Sequence, residues 1–345
     1  LKSIVMKYIK MYGIALIITG VFFIFKLPLP WILGPLIGVF LLKQWGNSSY
    51  QLNEEVRHIS FGITGVQIGA TFTAATISQV MPYFLPFLFF TIALIAISML
   101  SGVLIAKIAK MEQITGVLGS VPGGLSVMVA MSDSLKSNTG LVAIFHTIRL
   151  LSVLFIVPII ATYIFSEPVA NSYKDITAVH TAPVWTVFFY GVFYFLAHLL
   201  QYKIPAAHVL IPMIFIAIFN IFGVPIISLH PLLFHFAQVS IGIHLGLSID
   251  WKDIKKAGKY TMLYFCFTCA IILISVLFGY IFSSMSGLSF ATGMLSMAPG
   301  GLVEMAITAH EVGADPAIVG SLQLVRMLLI ILIMPYILTR IWSKQ

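Results

Sequence analysis

Thr115-Gly-Val-Leu-Gly-Ser-Val-Pro-Gly-Gly-Leu-Ser-Val-Met128 and Thr292-Gly-Met-Leu-Ser-Met-Ala-Pro-Gly-Gly-Leu-Val-Glu-Met305 are two versions of one motif. Each sets Pro-Gly-Gly inside an apolar run, at Pro122-Gly123-Gly124 and at Pro299-Gly300-Gly301. An ordinary spanning helix would break there, because proline removes a backbone donor and glycine admits conformations that other residues avoid. In lipid such a break is tolerated only where protein or a water-filled cavity receives the freed backbone groups. Matching breaks in corresponding halves of a membrane protein point to a transporter's binding site. Helix kinks used only for packing would leave the same mark.

The register extends far beyond the motif. Adding 177 carries Pro28 onto Pro205, Pro35 onto Pro212, His58 onto His235, Gly65 onto Gly242 and Gly69 onto Gly246. Arg149 then falls on Arg326 and Pro158 on Pro335, with no gap between. Chance composition does not hold one register over such a length, so the chain reads as one unit used twice.

Composition supplies the solvent. Of 345 residues, 60% are hydrophobic and 9% charged, with a mean hydropathy of +1.05. A soluble domain carries roughly 25% charged residues, so an integral membrane protein is expected. No charged side chain occurs between Arg57 and Lys107, between Lys203 and Asp250 or between Lys259 and Glu304. Each gap can hold about two spans of roughly 20 residues. The net charge of +8 is then loop charge that sets topology rather than a nucleic-acid footprint. The basic start, Leu1 to Lys10, and the apolar run to Phe25 resemble a signal peptide, but no small-residue cleavage site follows, so the run is expected to be the first span. Cys266 and Cys269 share one apolar stretch and are expected to be small packing residues, not a redox or metal pair.

The expected fold is an all-α integral membrane protein made of two five-helix repeats, each with a re-entrant or broken Pro-Gly-Gly segment, giving about 10 spans plus 2 hairpins. Spans are placed near 8–25, 28–45, 57–77, 83–106 and 139–163, then near 183–202, 205–223, 232–250, 260–283 and 317–339. The broken segments lie at 113–135 and 290–312. Residues 1–166 form the first repeat, 167–182 an extracytoplasmic linker and 183–345 the second repeat. If the broken segments cross the membrane, the halves run parallel and the lysines and arginines outside the spans divide ten inside to seven outside. If the segments enter and return, the halves are inverted and the same residues divide fifteen inside to two outside, Lys26 and Lys174. The positive-inside rule favours the inverted arrangement, with both termini cytoplasmic and the hairpin tips near the midplane.

The duplicated Pro-Gly-Gly segments, the Leu29-Pro-Trp-Ile-Leu-Gly-Pro35 run and the arginine inside each last span resemble the bacterial AbrB-type membrane proteins. That family carries two AbrB duplication domains and has been labelled both a regulator of gene expression and an ammonia monooxygenase. The resemblance implies a multi-pass protein of the bacterial cytoplasmic membrane. In architecture the chain is also similar to inverted-repeat secondary transporters such as the glutamate, citrate and bile-acid carriers.

Several polar groups stand out against this background. An arginine at the bilayer centre costs at least ~2.5 kcal/mol and faces protein or water by default. Arg149 and Arg326 therefore either bind an anionic solute, together with Pro122, Gly123, Gly124, Pro299, Gly300 and Gly301, or pin the hairpins through backbone carbonyls or an acidic partner. Glu304 stands three residues after Gly301 inside an expected membrane segment, and its repeat counterpart is Val127. Coupling to a proton or cation and pairing with Arg326 both account for it. Gln67 and His244 occupy equivalent positions between paired glycines, while His146 and Gln323 lie one turn from the arginines; all four are candidates for a polar lining. Nine histidines show no His-x-x-x-His spacing, so no metal and no cofactor are expected, and the enzyme reading is set aside. The sequence favours a secondary transporter of a small, anionic organic solute coupled to a proton or cation; the alternative is a non-transporting membrane sensor that affects gene expression. The expected partners are the lipid bilayer and a small-molecule solute, with no nucleic acid, and a homodimer is compatible with the sequence.

The inverted topology makes a direct prediction. Single cysteines labelled from outside the cell should react in the loop containing Lys174 and be silent in the loop from Lys252 to Lys259. Reaction of both loops from one side would overturn the inverted arrangement.

Overall fold

The structure is a computed structural model that describes residues 2–45, 50–74, 78, 80–123, 125–163, 183, 186–204, 206–224, 226–227, 229–249, 255 and 258–342. Gly124, Pro205, the 167–182 linker with Lys174, and Lys252, Lys256 and Lys344 lie outside the described residues. Among the described residues the secondary structure is entirely helical. In the first half the helices are α1 (Lys2–Ile24), α2 (Pro30–Trp45), α3 (Glu54–Ala70), α4 (Phe84–Ala109), α5 (Gln113–Ser120), α6 (Leu125–Ser134) and α7 (Thr139–Tyr163). In the second they are α8 (Val187–Leu200), α9 (Ala207–Ile221), α10 (Pro231–Ser248), α11 (Lys259–Ser286), α12 (Phe290–Met297), α13 (Leu302–Val312) and α14 (Pro316–Trp342).

Six described stretches are long and apolar enough to cross a membrane: Val5–Ile24, Met81–Ala109, Thr139–Tyr163, Pro231–Ser248, Tyr260–Ser286 and Pro316–Leu338. Val187–Leu200 and Ala207–Ile221 are apolar but shorter. Many of the large side chains left exposed are apolar, Phe89 at 68%, Leu104 at 50% and Leu273 at 66% among them. Apolar residues facing outward on apolar helices are what lipid, rather than water, rewards. The chain is therefore multi-pass and membrane-embedded.

Each sequence break is a helix break. α5 ends at Ser120 and α6 begins at Leu125; α12 ends at Met297 and α13 begins at Leu302. All four bounds differ by 177 between the copies.

The chain folds into two compact units, and each takes material from both halves. The first comprises Leu1–Ser78, Ser166–Ile249 and Ala306–Ala317; the second comprises Gln79–Phe165, Asp250–Met305 and Ile318–Gln345. In the first unit α1 packs on α2, α3 on α9 and α10 on α2. Its core includes Met11, Ala15, Val39, Val239 and Ile243. Lys43 donates from Nζ to the carbonyls of Leu247 (2.9 Å) and Ile249 (2.8 Å) at the end of α10, where a cation complements the partial negative charge of a helix C-terminus.

In the second unit α4 packs on α5 and α11 on α12. One core cluster joins Val117, Leu118, Val121 and Met128 of the first broken segment to Ile330, Met334 and Leu338 of α14. A second joins Met297 of the other broken segment to Phe87, Phe282, Ile318 and Leu322. The first short helix pair and α12 are thus packed within this unit, whereas α13 from Ala306 onward belongs to the first unit.

The glycines of α3 and α10 have a packing reason. A Cβ on Gly65 would overlap the carbonyl oxygen of Val209 on α9, and one on Gly69 would lie 2.5 Å from that of Met213. In the repeat-related pair, Gly242 and Gly246 of α10 meet the carbonyls of Ile32 and Leu36 on α2. A side chain there pushes directly on backbone, which yields less readily than a rotamer. Gly65→Val and Gly242→Val should each destabilise the protein by about 1–3 kcal/mol, read as a lower thermal midpoint in detergent. The exposed-space control Gly191→Ala, with nothing within 4 Å of the new methyl, should melt like the parent.

Candidate functional site

Breaking α5 from α6 and α12 from α13 leaves carbonyls with no partner inside either helix. Each set is met by an arginine from the following long helix. Arg149 of α7 donates from Nη1 to Val121 O (2.7 Å) and from Nη2 to Gly123 O (3.1 Å). Arg326 of α14 donates from Nη1 to Ala298 O (2.6 Å) and Met297 O (3.3 Å), and from Nη2 to Gly300 O (2.9 Å). Arg326 Nη2 also donates to Gln323 Oε1. Val121 and Gly123 keep the 177 offset to Ala298 and Gly300, so the two clamps match carbonyl for carbonyl.

The neighbouring polar positions complete each clamp. His146 Nε2 lies 3.0 Å from Leu118 O. Its counterpart Gln323 donates from Nε2 to Leu295 O (2.7 Å) and Ala298 O (3.1 Å). Both side chains are buried, as is Arg326 at 3% exposure. Of the two roles open to the arginines, pinning the break is what their Nη atoms do here. Carbonyls are dipoles and not charges, so each clamp still leaves a cation beside the break.

Glu304 lies in the first turn of α13. A Cβ on Gly301 would overlap its carboxylate, so the side chain folds back over the helix start. A negative group is stabilised there by the partial positive charge of the helix N-terminus. Glu304 is thus placed against the helix end of its own break. Pro122, Gly123 and Pro299 are buried, Gly300 and Gly301 partly so, and Gly124 is outside the described residues.

A cavity of about 10 Å³, about enough for one water, is lined by Gly119, Ser120, Arg149, Tyr264, Thr268 and Pro299. Arg149, which clamps the first break, and Pro299 of the second therefore border one small, mostly apolar space. Tyr264 was not singled out by sequence, yet it donates to Gly116 O (2.7 Å), lies 3.0 Å from Ser120 Oγ and stacks on Phe145 with centroids 3.5 Å apart. Its counterpart by the 177 offset is Phe87; that phenylalanine-to-tyrosine difference was the available signal. Gln67 on α3 and His244 on α10 belong to the first unit, the arginines to the second.

The model of the family described as transition state regulatory protein AbrB matches residues 10–342. The chain belongs to the AbrB family. It is 27% identical over 288 residues to "Uncharacterized protein YhjN" of Bacillus subtilis (strain 168), covering 79% of this chain and 75% of that one. It is 25% identical over 337 residues to "Putative regulator AbrB" of Escherichia coli (strain K12), covering 94% and 93%. No solved structure matches it. The AbrB family match takes in both clamps and both units.

Removing the Arg326 donors takes a hydrogen bond from the carbonyl of Gly300 and leaves that of Ala298 to Gln323 and Gly300 N. Arg326→Met should cost about 1–3 kcal/mol and lower the thermal midpoint in detergent, with Arg326→Lys falling between. A methionine variant that melts with the parent would show that the clamp carries no stability.

Proposed function

We propose that this AbrB-family chain is a secondary transporter of a small, anionic organic solute, coupled to a proton or cation, with no catalytic step. The observation that carries the reading is the pair of clamped helix breaks in one compact unit. An arginine charge at each, two helix starts at Leu125 and Leu302 and a carboxylate at one make a locally positive, polar place in an apolar protein. Discontinuous helices of this kind bind anionic groups at their positive ends in transporters.

In the proposed topology the halves, 1–166 and 183–345, are inverted repeats of five spans with one re-entrant hairpin each. Both termini are cytoplasmic, in a bacterial cytoplasmic membrane. The charge distribution of fifteen to two supports it.

Coupling follows from where Glu304 sits. Ionised, its carboxylate occupies the start of α13 and competes with a solute carboxylate for the same partial positive charge. Protonated, it withdraws that competition. Proton uptake by Glu304 and anion binding at the break therefore favour each other, the reciprocity that linkage demands. The absence of a matching carboxylate at Val127 confines this role to the second break.

The second reading is a membrane sensor that changes gene expression without flux. Its support is the regulator named in the family description and in the E. coli relative. The two part in one experiment: uptake of small carboxylates into liposomes holding purified protein, under an imposed proton or sodium gradient. The transporter reading expects gradient-driven uptake in the parent protein and its loss in Glu304→Gln, with membrane insertion intact. Arg326→Lys should fail as well if the fork-shaped guanidinium is needed, because lysine offers only a point charge. Carboxylate binding without uptake would favour the sensor. Uptake by Glu304→Gln with unchanged pH and sodium dependence would remove Glu304 from the coupling step.

A further inference from the structure

Three histidines from three helices of the first unit converge at one place. His58 stands in the first turns of α3, His198 in the last turn of α8 and His208 in the first turn of α9. One ring nitrogen from each lies within 4.8 Å of the other two. The His58 and His208 rings stack with centroids 3.8 Å apart at 10°, and His198 stands edge-on to His208 at 6.4 Å and 72°.

The unmet valences point to a ligand. His58 Nδ1 and His208 Nε2 are buried and have no hydrogen-bond partner. Buried polar atoms in native proteins are nearly always satisfied, and the exceptions call for a cause such as an ion. His198 Nδ1 lies 3.4 Å from Gln201 Nε2, an arrangement that orients the ring and leaves Nε2 for another partner. Beside the cluster, Tyr194 donates to Glu55, and the Tyr194 ring is 5.8 Å from that of His208.

The repeat supplies an internal control. Subtracting 177 turns His208 into Trp31, His198 into Val21 and Tyr194 into Ile17; adding it turns His58 into His235 and Glu55 into Leu232. The equivalent place in the other copy is built on Trp31 stacked on His235, with centroids 4.5 Å apart. The backbone thus packs well with an apolar filling there. Three imidazoles, a tyrosine and a carboxylate at the second location are not required by the fold.

We propose that His58, His198 and His208 bind one divalent first-row transition-metal ion of the zinc or cobalt class, with water in the fourth position. Neutral imidazole is the ligand those ions favour, and three of them leave an open coordination site. Metal–nitrogen bonds of about 2.0–2.1 Å put tetrahedral nitrogens roughly 3.4 Å apart, so the cluster must tighten. Parallel rings cannot both aim in-plane lone pairs at one ion, so binding also turns one ring of the His58–His208 stack. Coordination by His58 Nδ1 places its hydrogen on Nε2, which Arg57 Nη2 now faces at 3.2 Å. Glu54, 3.5 Å from the same guanidinium, is the carboxylate toward which Arg57 then moves. The ion ties α3, α8 and α9 together, and the proposal is independent of the transport reading.

The test uses full-length protein carrying no histidine tag, stripped with chelator in detergent and titrated with Zn2+ alone. One zinc per chain should survive desalting, the thermal midpoint should rise with Zn2+, and Co2+ should give the visible absorption of a tetrahedral nitrogen site. His198→Ala alters an exposed side chain; it should weaken Zn2+ binding by at least about tenfold and leave the metal-free midpoint where it was. His235→Ala, at the counterpart position, should bind zinc as the parent does. No retained zinc in the parent overturns the proposal, as does parental affinity in both His198→Ala and His208→Ala.

Discussion

The fold depends on a guanidinium that answers a broken helix. In hydrocarbon, an unsatisfied backbone group costs several kcal/mol, and so does a bare arginine. Brought together they remove each other's penalty. Arg149 and Val121 are 28 residues apart, as are Arg326 and Ala298. That span is a short helix and part of a long one, so each clamp closes locally and the two keep the same spacing. Without the arginine the break would lose its charged donor; without the break the arginine would have no reason to lie in a membrane helix.

This mutual dependence changes what an intramembrane arginine says about function. Its Nη groups donate to carbonyls, so a solute cannot take those hydrogen bonds without reopening the break. What remains available is the field: a unit charge next to a helix start, in surroundings that screen it poorly. The distinction matters chemically. A solute recognised by the field needs negative charge, whereas one recognised by a guanidinium fork needs a planar carboxylate.

Much of this was legible in the sequence because the same physics was written twice. The offset of 177 located the breaks, the arginines and the tight glycines Gly65 and Gly242 before any coordinates, and the helix bounds at 120, 125, 297 and 302 follow it. The division into compact units was not legible. It groups α1–α3 and α8–α10 with residues 306–317 and puts both breaks in the other unit, and contacts between halves leave no period in a sequence. The histidine cluster escaped for a related reason. Motif spacing registers ligands on one helix, and His58, His198 and His208 come from three. Tyr264 was hidden as an aromatic among aromatics, since a hydroxyl that reaches Gly116 O is visible only once the helices are packed.

A duplicated chain carries its own comparison, because residues that serve the fold must serve it in both copies. The arginines, the prolines and the close-approach glycines pass that test and belong to the architecture. Glu304 against Val127, Tyr264 against Phe87 and His208 against Trp31 fail it. At each of the three the second copy carries the polar group and the first an apolar one. An apolar group suffices to pack the position, so the polar one must be maintained against its own desolvation cost. Tyr264 offsets that cost with two short hydrogen bonds, and Glu304 with the start of α13. The histidine cluster offsets it least, with two buried nitrogens unsatisfied. Differences between the copies, rather than the features they share, are therefore where function has been added to this scaffold.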